Sequence, residues 1–315
     1  FIFGDSLVDY GNNNYILSTY AKANFPPCGR DFPSGATGRF SNGNLIPDLI
    51  TSYLNLPLVQ PFLSPTKNIQ QGVNYGSAGC GLFNTTGNTF VSFQNYPRPI
   101  YLQVQNFIED KHTLISQIGL NATLNIINKS MFYITYGSND IANNYYEPGS
   151  SLPSQYTILE FIDILMQLYD TQIRVLYQEG ARKIVIASLF PLGCSTLFLI
   201  RYNVTQPSQC VDLFNKAATQ FNCKLNLVLS YLRLNLPGLN ILYADSYTIP
   251  LDIVQNPQSY GFTIPNVGCC NFIGPNENTL VTECLPLAPS CLDPRKYVYW
   301  DQVHPTSKTY NILAN

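Results

Sequence analysis

Along this chain, short runs of apolar residues alternate with longer stretches in which apolar positions recur at helical spacing. The short runs are Phe1 to Asp5, Gly72 to Tyr75, Met131 to Gly137, Lys183 to Leu189 and Asn240 to Asp245. They are largely apolar rather than alternating, the pattern of strands covered on both faces. The spacing predicts a helix from Ile158, with Ile162, Leu165, Tyr169, Ile173 and Leu176 on one stripe and Gly180 as its stop. A second helix follows Pro207, carrying Val211, Phe214, Ala218, Phe221, Leu225, Val228 and Leu232 until Pro237-Gly238. Weaker patterns predict helices from Leu45 to Leu54 and from Ile100 to Ile118. Strands alternating with helices imply a parallel sheet of about five strands in a three-layer α/β/α arrangement, with ligands beyond the strands' carboxyl ends. Loops fall over Gly11 to Asn44, Ser138 to Ser154 and Gly261 to Pro294. With no repeat and no linker, residues 1–315 read as a single domain.

Composition narrows the function classes. Only 11% of residues are charged and 45% are hydrophobic. A net charge of −2 and a pI near 5.7 offer no footprint for nucleic acid. The uncharged stretch Ile184 to Ile200 is short for a membrane span and is interrupted by Pro191 and Gly193, so it reads as a strand and a loop. The opening Phe1-Ile2-Phe3 already reads as a strand, and the chain is taken as trimmed of any leader. Nine cysteines form no C-x-x-C pair and there are only two histidines, His112 and His304, which leaves no zinc-type ligand spacing. Sequons stand at Asn84, Asn121, Asn128 and Asn203. Together with the cysteines they predict a secreted, extracellular, glycosylated protein. Connectivity does not follow from sequence; Cys194 with Cys210, and two bridges among Cys269, Cys270, Cys284 and Cys291, are the working pairings.

Four blocks carry candidate chemistry, three of them just after predicted strands. In Gly4-Asp5-Ser6-Leu7, Ser6 either projects a hydroxyl above the sheet edge or caps a following helix. No G-x-S-x-G elbow occurs around any serine. In Asp301-Gln302-Val303-His304-Pro305, an Asp three residues before a His can hold Nδ1 and leave Nε2 for a proton, with Pro305 in the first turn of a closing helix. The other reading is a surface histidine with an incidental acidic neighbour. His112, within Glu109-Asp110-Lys111-His112, reads as solvent-facing. In Gly137-Ser138-Asn139-Asp140, Asn139 either donates an amide to a developing oxyanion or, like Asp140, caps a short helix. The glycine-rich Asn74 to Gly81 block permits close backbone approach and is neither a Walker loop nor a dinucleotide fingerprint.

Taken together and in their order along the chain, the blocks resemble the plant-type GDSL esterase/lipases of the SGNH hydrolase superfamily. The resemblance also takes in Gly11-Asn12-Asn13-Asn14, Thr37-Gly38-Arg39-Phe40-Ser41-Asn42-Gly43 and Pro191-Leu192-Gly193-Cys194, spanning almost the whole chain. It implies a flavodoxin-like fold, Ser6 as nucleophile, His304 as base and then acid, and Asp301 behind it. It also implies an oxyanion hole of the Ser6 N–H, the Gly79 N–H (rather than Gly76) and the Asn139 amide. One departure is Cys28, in Pro26-Pro27-Cys28-Gly29 where relatives often carry an aromatic. The implied activity is carboxylic-ester hydrolysis of a small-molecule or lipid ester without cofactor or metal. An acyltransferase, and a catalytically silent binding glycoprotein of the same fold, are the alternatives. Acyl length, alcohol and oligomeric state are not legible.

Overall fold

The computed structural model describes residues 1–88, 98–206, 208–270 and 283–315. The chain resolves into two compact units drawn from separated segments. The first comprises Phe1–Tyr20, Val59–Leu189 and Thr219–Asp245; the second comprises Ala21–Leu58, Phe190–Ala218 and Ser246–Asn315.

The first unit is built on a six-stranded sheet, with β1 Ile2–Gly4, β2 Gln60–Pro61, β3 Val73–Asn74, β4 Met131–Thr135, β5 Lys183–Ala187 and β6 Asn240–Ala244 in the order β2-β3-β1-β4-β5-β6. Every pairing is parallel, and Ile2 is partnered by Asn74 on one side and Tyr133 on the other. The sheet is flanked by helices, the three-layer α/β/α arrangement that the alternation implies. All five expected strands are present, each shorter than its apolar run. The sixth, β2, is two residues at the sheet edge ending in Pro61, too brief to leave a pattern. Aromatic side chains fill the layer beside β1: the rings of Phe3 and Tyr75 stack at 4.9 Å and Phe107 meets Phe132 edge-on at 5.3 Å.

The helix Ile100–Ile118 lies where its periodicity places it, with His112 exposed on its surface. The helix Ile158–Gln178 opens on a capping box: Thr157 Oγ1 accepts from the Glu160 N–H, and Glu160 accepts from the Thr157 N–H at 2.8 Å. Gly180, at φ +110°, follows its last turn. The long helix expected after Pro207 runs over Asp212–Asn235. Several helices escaped the pattern: Leu120–Lys129, whose stripe Asn121, Asn125 and Asn128 dilute so that only Thr123 and Ile127 are buried, Thr248–Gln255, and two short ones in stretches read as loop, Leu152–Gln155 and Thr196–Arg201.

The second unit contains the parallel pair β7 Ile264–Gly268 and β8 Tyr297–Tyr299, and the helices Ile46–Tyr53, Thr196–Arg201, Thr248–Gln255 and Ser307–Ala314. β7 falls within a region read from sequence as loop, since Pro265 and Asn266 hide its strand character. Buried Arg39 grips Asp48 with Nε and Nη2 at 2.9 and 2.8 Å. Asp48 also accepts the Leu45 N–H at the start of the helix Ile46–Tyr53. Disulfides join Cys194 to Cys210, as anticipated, and pair the four cysteines whose partners were left open as Cys269 with Cys291 and Cys270 with Cys284; Cys28, Cys80 and Cys223 carry none. No helix among the described residues is long and apolar enough to cross a membrane.

Candidate active site

Ser6 lies two residues beyond β1. There the chain turns at once: Asp5 accepts the Val8 N–H on its carbonyl at 3.2 Å and the Leu7 N–H on Oδ1 at 2.9 Å. No helix begins here, the next helical turn being Asn12–Tyr15 with Gly11 before it, so Ser6 is not a helix cap. Ser6 is half-buried on this turn.

The segment after β3 runs alongside. Gly76 cannot serve as a free backbone donor, because its N–H is given to Asn74 Oδ1 at 2.8 Å. It is also walled in, a Cβ there meeting Val8 Cγ2 at 2.9 Å. Gly79, three residues on, holds φ +83°, a left-handed conformation that glycine adopts without steric cost. The block is tied down by asparagines: Asn12 donates to the carbonyls of Asn74 and Gly76 at 2.9 and 2.7 Å, and Asn13 donates to that of Ala78 at 3.1 Å.

Asn139 follows β4 in a short helical turn, Ser138–Asp140, preceded by Gly137 at φ +116°. It caps nothing. Its Nδ2 donates to the Cys80 carbonyl at 2.9 Å and lies 3.4 Å from Asp5 Oδ2, while its Oδ1 accepts from Asn143 at 2.8 Å. Asp140 stands at the N-cap of the helical turn Ile141–Tyr145, but its side chain makes no cap bond there. Its carboxylate accepts the N–H groups of Leu82 and Phe83 at 2.9 and 2.8 Å and the Thr86 hydroxyl at 2.7 Å. Thus the first unit brings Ser6, Gly79 and Asn139 onto three consecutive strand ends of its sheet (β1, β3 and β4), with Asp9 and Asp140 buried beneath.

Burial pushes Asp9 up to about 6, opposed by the N–H groups of Gly11, Ala78, Asn12 and Asn13. Burial also raises Asp140, against the same kind of backbone donation. Cys80 is pushed well above the ordinary thiol range by burial and by the neighbouring Asp5, Asp140 and Asp9 carboxylates, so it stays a neutral thiol.

In the second unit, Asp301 and His304 are both buried. Asp301 Oδ2 lies 2.8 Å from His304 Nδ1 and Oδ1 lies 3.0 Å from it. Oδ1 also accepts the backbone N–H of Val303 and of His304 at 3.0 and 2.7 Å. The three-residue spacing therefore closes a turn in which one carboxylate orients both the backbone and the ring. An Nδ1–H directed at this carboxylate leaves Nε2 as the basic nitrogen. The Phe40 ring packs 5.1 Å from the imidazole, and the backbone N–H of Trp300 donates to the His304 carbonyl at 2.7 Å. The incidental surface pair is thereby excluded. Pro305 lies outside the closing helix: Thr306 caps Ser307–Ala314, accepting from the Thr309 N–H, and Pro305 instead bridges to Tyr299.

Glu283 was not anticipated. Burial pushes its carboxyl up to about 7; His304 opposes the shift and Asp301 adds to it, so all three groups share one environment. Nothing local marks it. Its neighbour Cys284 is bonded to Cys270, whose N–H donates to the Trp300 carbonyl at 2.6 Å, and that bridge brings it here. Cys28 faces the same group, pushed up to about 12 by burial and by Asp301. The four sequon asparagines Asn84, Asn121, Asn128 and Asn203 are exposed. Among the described residues, no cluster of three or more His, Cys, Asp or Glu side chains is arranged to hold a metal.

Residues 1–315 match, along their whole length, the family described as GDSL-like lipase/acylhydrolase. The chain belongs to this family. Its relatives include two GDSL esterase/lipases of Arabidopsis thaliana, 35% identical over 319 residues and 38% identical over 320, with 100% of this chain and 86% and 84% of the relatives aligned. GDSL esterase/lipase 7 of the same plant is 38% identical over 328 residues, covering 100% of this chain and 86% of its own. Membership supports esterase chemistry on ester substrates and accounts for the ordered blocks. It leaves the roles of individual residues to be argued from the geometry above.

Proposed function

We propose that this protein is a secreted serine esterase that hydrolyses carboxylic esters through an acyl-enzyme on Ser6. The observation that supports this best is the buried Asp301–His304 pair, 2.8 Å apart, which prepares an imidazole to take a proton at Nε2. His304 removes the Ser6 proton as Oγ attacks the ester carbonyl, and Asp301 stabilises the imidazolium that forms. The carbonyl electrons move to oxygen, where the N–H groups of Ser6 and Gly79 and the Asn139 amide receive them. Each well-aimed donor contributes about 3 kcal/mol. An amide nitrogen carries two hydrogens, so Asn139 can hold the Cys80 carbonyl with one and the oxyanion with the other. His304 then protonates the leaving alcohol, and water repeats the sequence on the acyl group.

Ser6→Ala tests the assignment. Hydrolysis of a nitrophenyl ester series from acetate to palmitate should fall by at least about 10⁴-fold. Fluorophosphonate labelling of the wild type should map to Ser6 and vanish in the variant. Unchanged turnover in Ser6→Ala refutes the role. Secretion is tested separately by an endoglycosidase mass shift at the four exposed sequons.

A further inference from the structure

The segment that carries Gly79 is held at both ends by carboxylates, and each comes from a segment bearing another proposed oxyanion donor. Three residues beyond Ser6, Asp9 accepts the Ala78 N–H on Oδ2 at 3.0 Å. Its Oδ1 accepts the Gly11 and Asn12 N–H groups at 2.7 Å each. One residue beyond Asn139, Asp140 accepts the Leu82 and Phe83 N–H groups and the Thr86 hydroxyl. Gly79 thus lies between two anchors, at Ala78 and at Leu82. Both carboxylates are fully buried. A Cβ on Gly81 would meet the Asp140 oxygens at 2.5 Å, so this glycine keeps room for the second anchor.

A buried carboxylate must receive several donors to be tolerated, and here those donors are the backbone of the loop whose placement decides where the Gly79 N–H points. We infer that Asp9 and Asp140 are positioning residues that lock the Gly79 N–H into register with the Ser6 N–H and the Asn139 amide. Neither touches substrate. The inference rests on the Ser6, Gly79 and Asn139 reading above and deepens it by naming what aims the cradle. Asn at either position replaces an acceptor oxygen with an NH₂ that faces a backbone N–H, so the stitch opens while the volume is kept.

The test compares Asp9→Asn, Asp140→Asn and Ser6→Ala with the wild type. Active sites are counted by exhaustive fluorophosphonate labelling, and kcat per counted site is measured beside the inhibition constant of a trifluoromethyl ketone. That ketone adds the serine Oγ to its carbonyl, the proton passing to the base, and so places an oxyanion in the cradle. For both Asp variants kcat per site should fall on the order of 10- to 100-fold, less than is typical of deleting a donor outright. KM should change little and the inhibition constant should rise by the same factor as kcat falls. Fewer counted sites with unchanged kcat per site and unchanged inhibition would mean a merely structural role and would overturn the inference.

Should neither Asp variant fold, Thr86→Val is compared with Thr86→Ser in an Asn84→Gln background, which removes the sequon from both. Weaker ketone binding in the Val variant alone supports the inference; equal binding overturns it. Full turnover by Ser6→Ala would sink the underlying reading instead, a result separable from any of these.

Discussion

Glu283 is the residue whose chemistry reaches furthest beyond its sequence context. Burial pushes its carboxyl up to about 7, and the charges that act on it are those of His304 and Asp301. An acid whose pKa is raised on folding stabilises the fold fully below its unfolded value, near 4.5, and loses that contribution as pH climbs through about 7. The penalty above pH 7 is on the order of 3 kcal/mol. Glu283→Gln should therefore leave urea stability unchanged at pH 4 and raise it at pH 8. Ionised Glu283 also favours the imidazolium, so the same variant should move the acid limb of kcat/KM to lower pH. A limb that stays in place would show that Glu283 does not communicate with His304. At this scale, what could be read in advance was local: Asp301 and His304 are three residues apart, and one turn joins them. Asp9 and Asp140 were not legible as stitches because their partners lie 69 and 58 residues away, where no spacing rule operates.

At the scale of elements, the apolar runs carried the sheet because strands covered on both faces must be apolar throughout. The pieces that failed to announce themselves had other sources of stability. β2 is a short edge pairing, and β7 is held by its partner β8 and by a neighbouring disulfide through Cys269 rather than by an apolar run. Turns after strands were legible where glycine stands. Gly137, at φ +116°, faces the Phe221 ring, and an added Cβ would meet its Cζ at 2.5 Å. Gly137→Ala combines a backbone penalty with a steric one and should cost about 3 kcal/mol in chemical denaturation. In a double-mutant cycle with Phe221→Ala the steric part should disappear. The pair should then cost at least about 1 kcal/mol less than the sum of the single changes. Strict additivity would place the whole penalty in the backbone.

For the whole molecule, the disulfides and the sheet divide between the two units. All three bridges lie in the second unit, whose one sheet among the described residues is the short β7–β8 pair, while the six-stranded sheet of the first unit contains none. Each loop of this length contributes about 3 kcal/mol by restricting the unfolded chain. The single tryptophan reports on that unit alone: Trp300 is fully buried, its carbonyl accepts the Cys270 N–H, and Asp301 follows it directly. Reduction with a thiol should therefore lower the urea midpoint of the Trp300 emission shift well below that of the far-ultraviolet dichroism, which is weighted toward the first unit's sheet and long helices. Esterase activity should track the tryptophan signal, because the Asp301–His304 pair is built on the same cross-linked backbone. If emission and dichroism still fell together after reduction, the bridges would not be what sustains the second unit, and buried side chains such as Phe40, Phe198, Phe214 and Tyr310 would have to suffice.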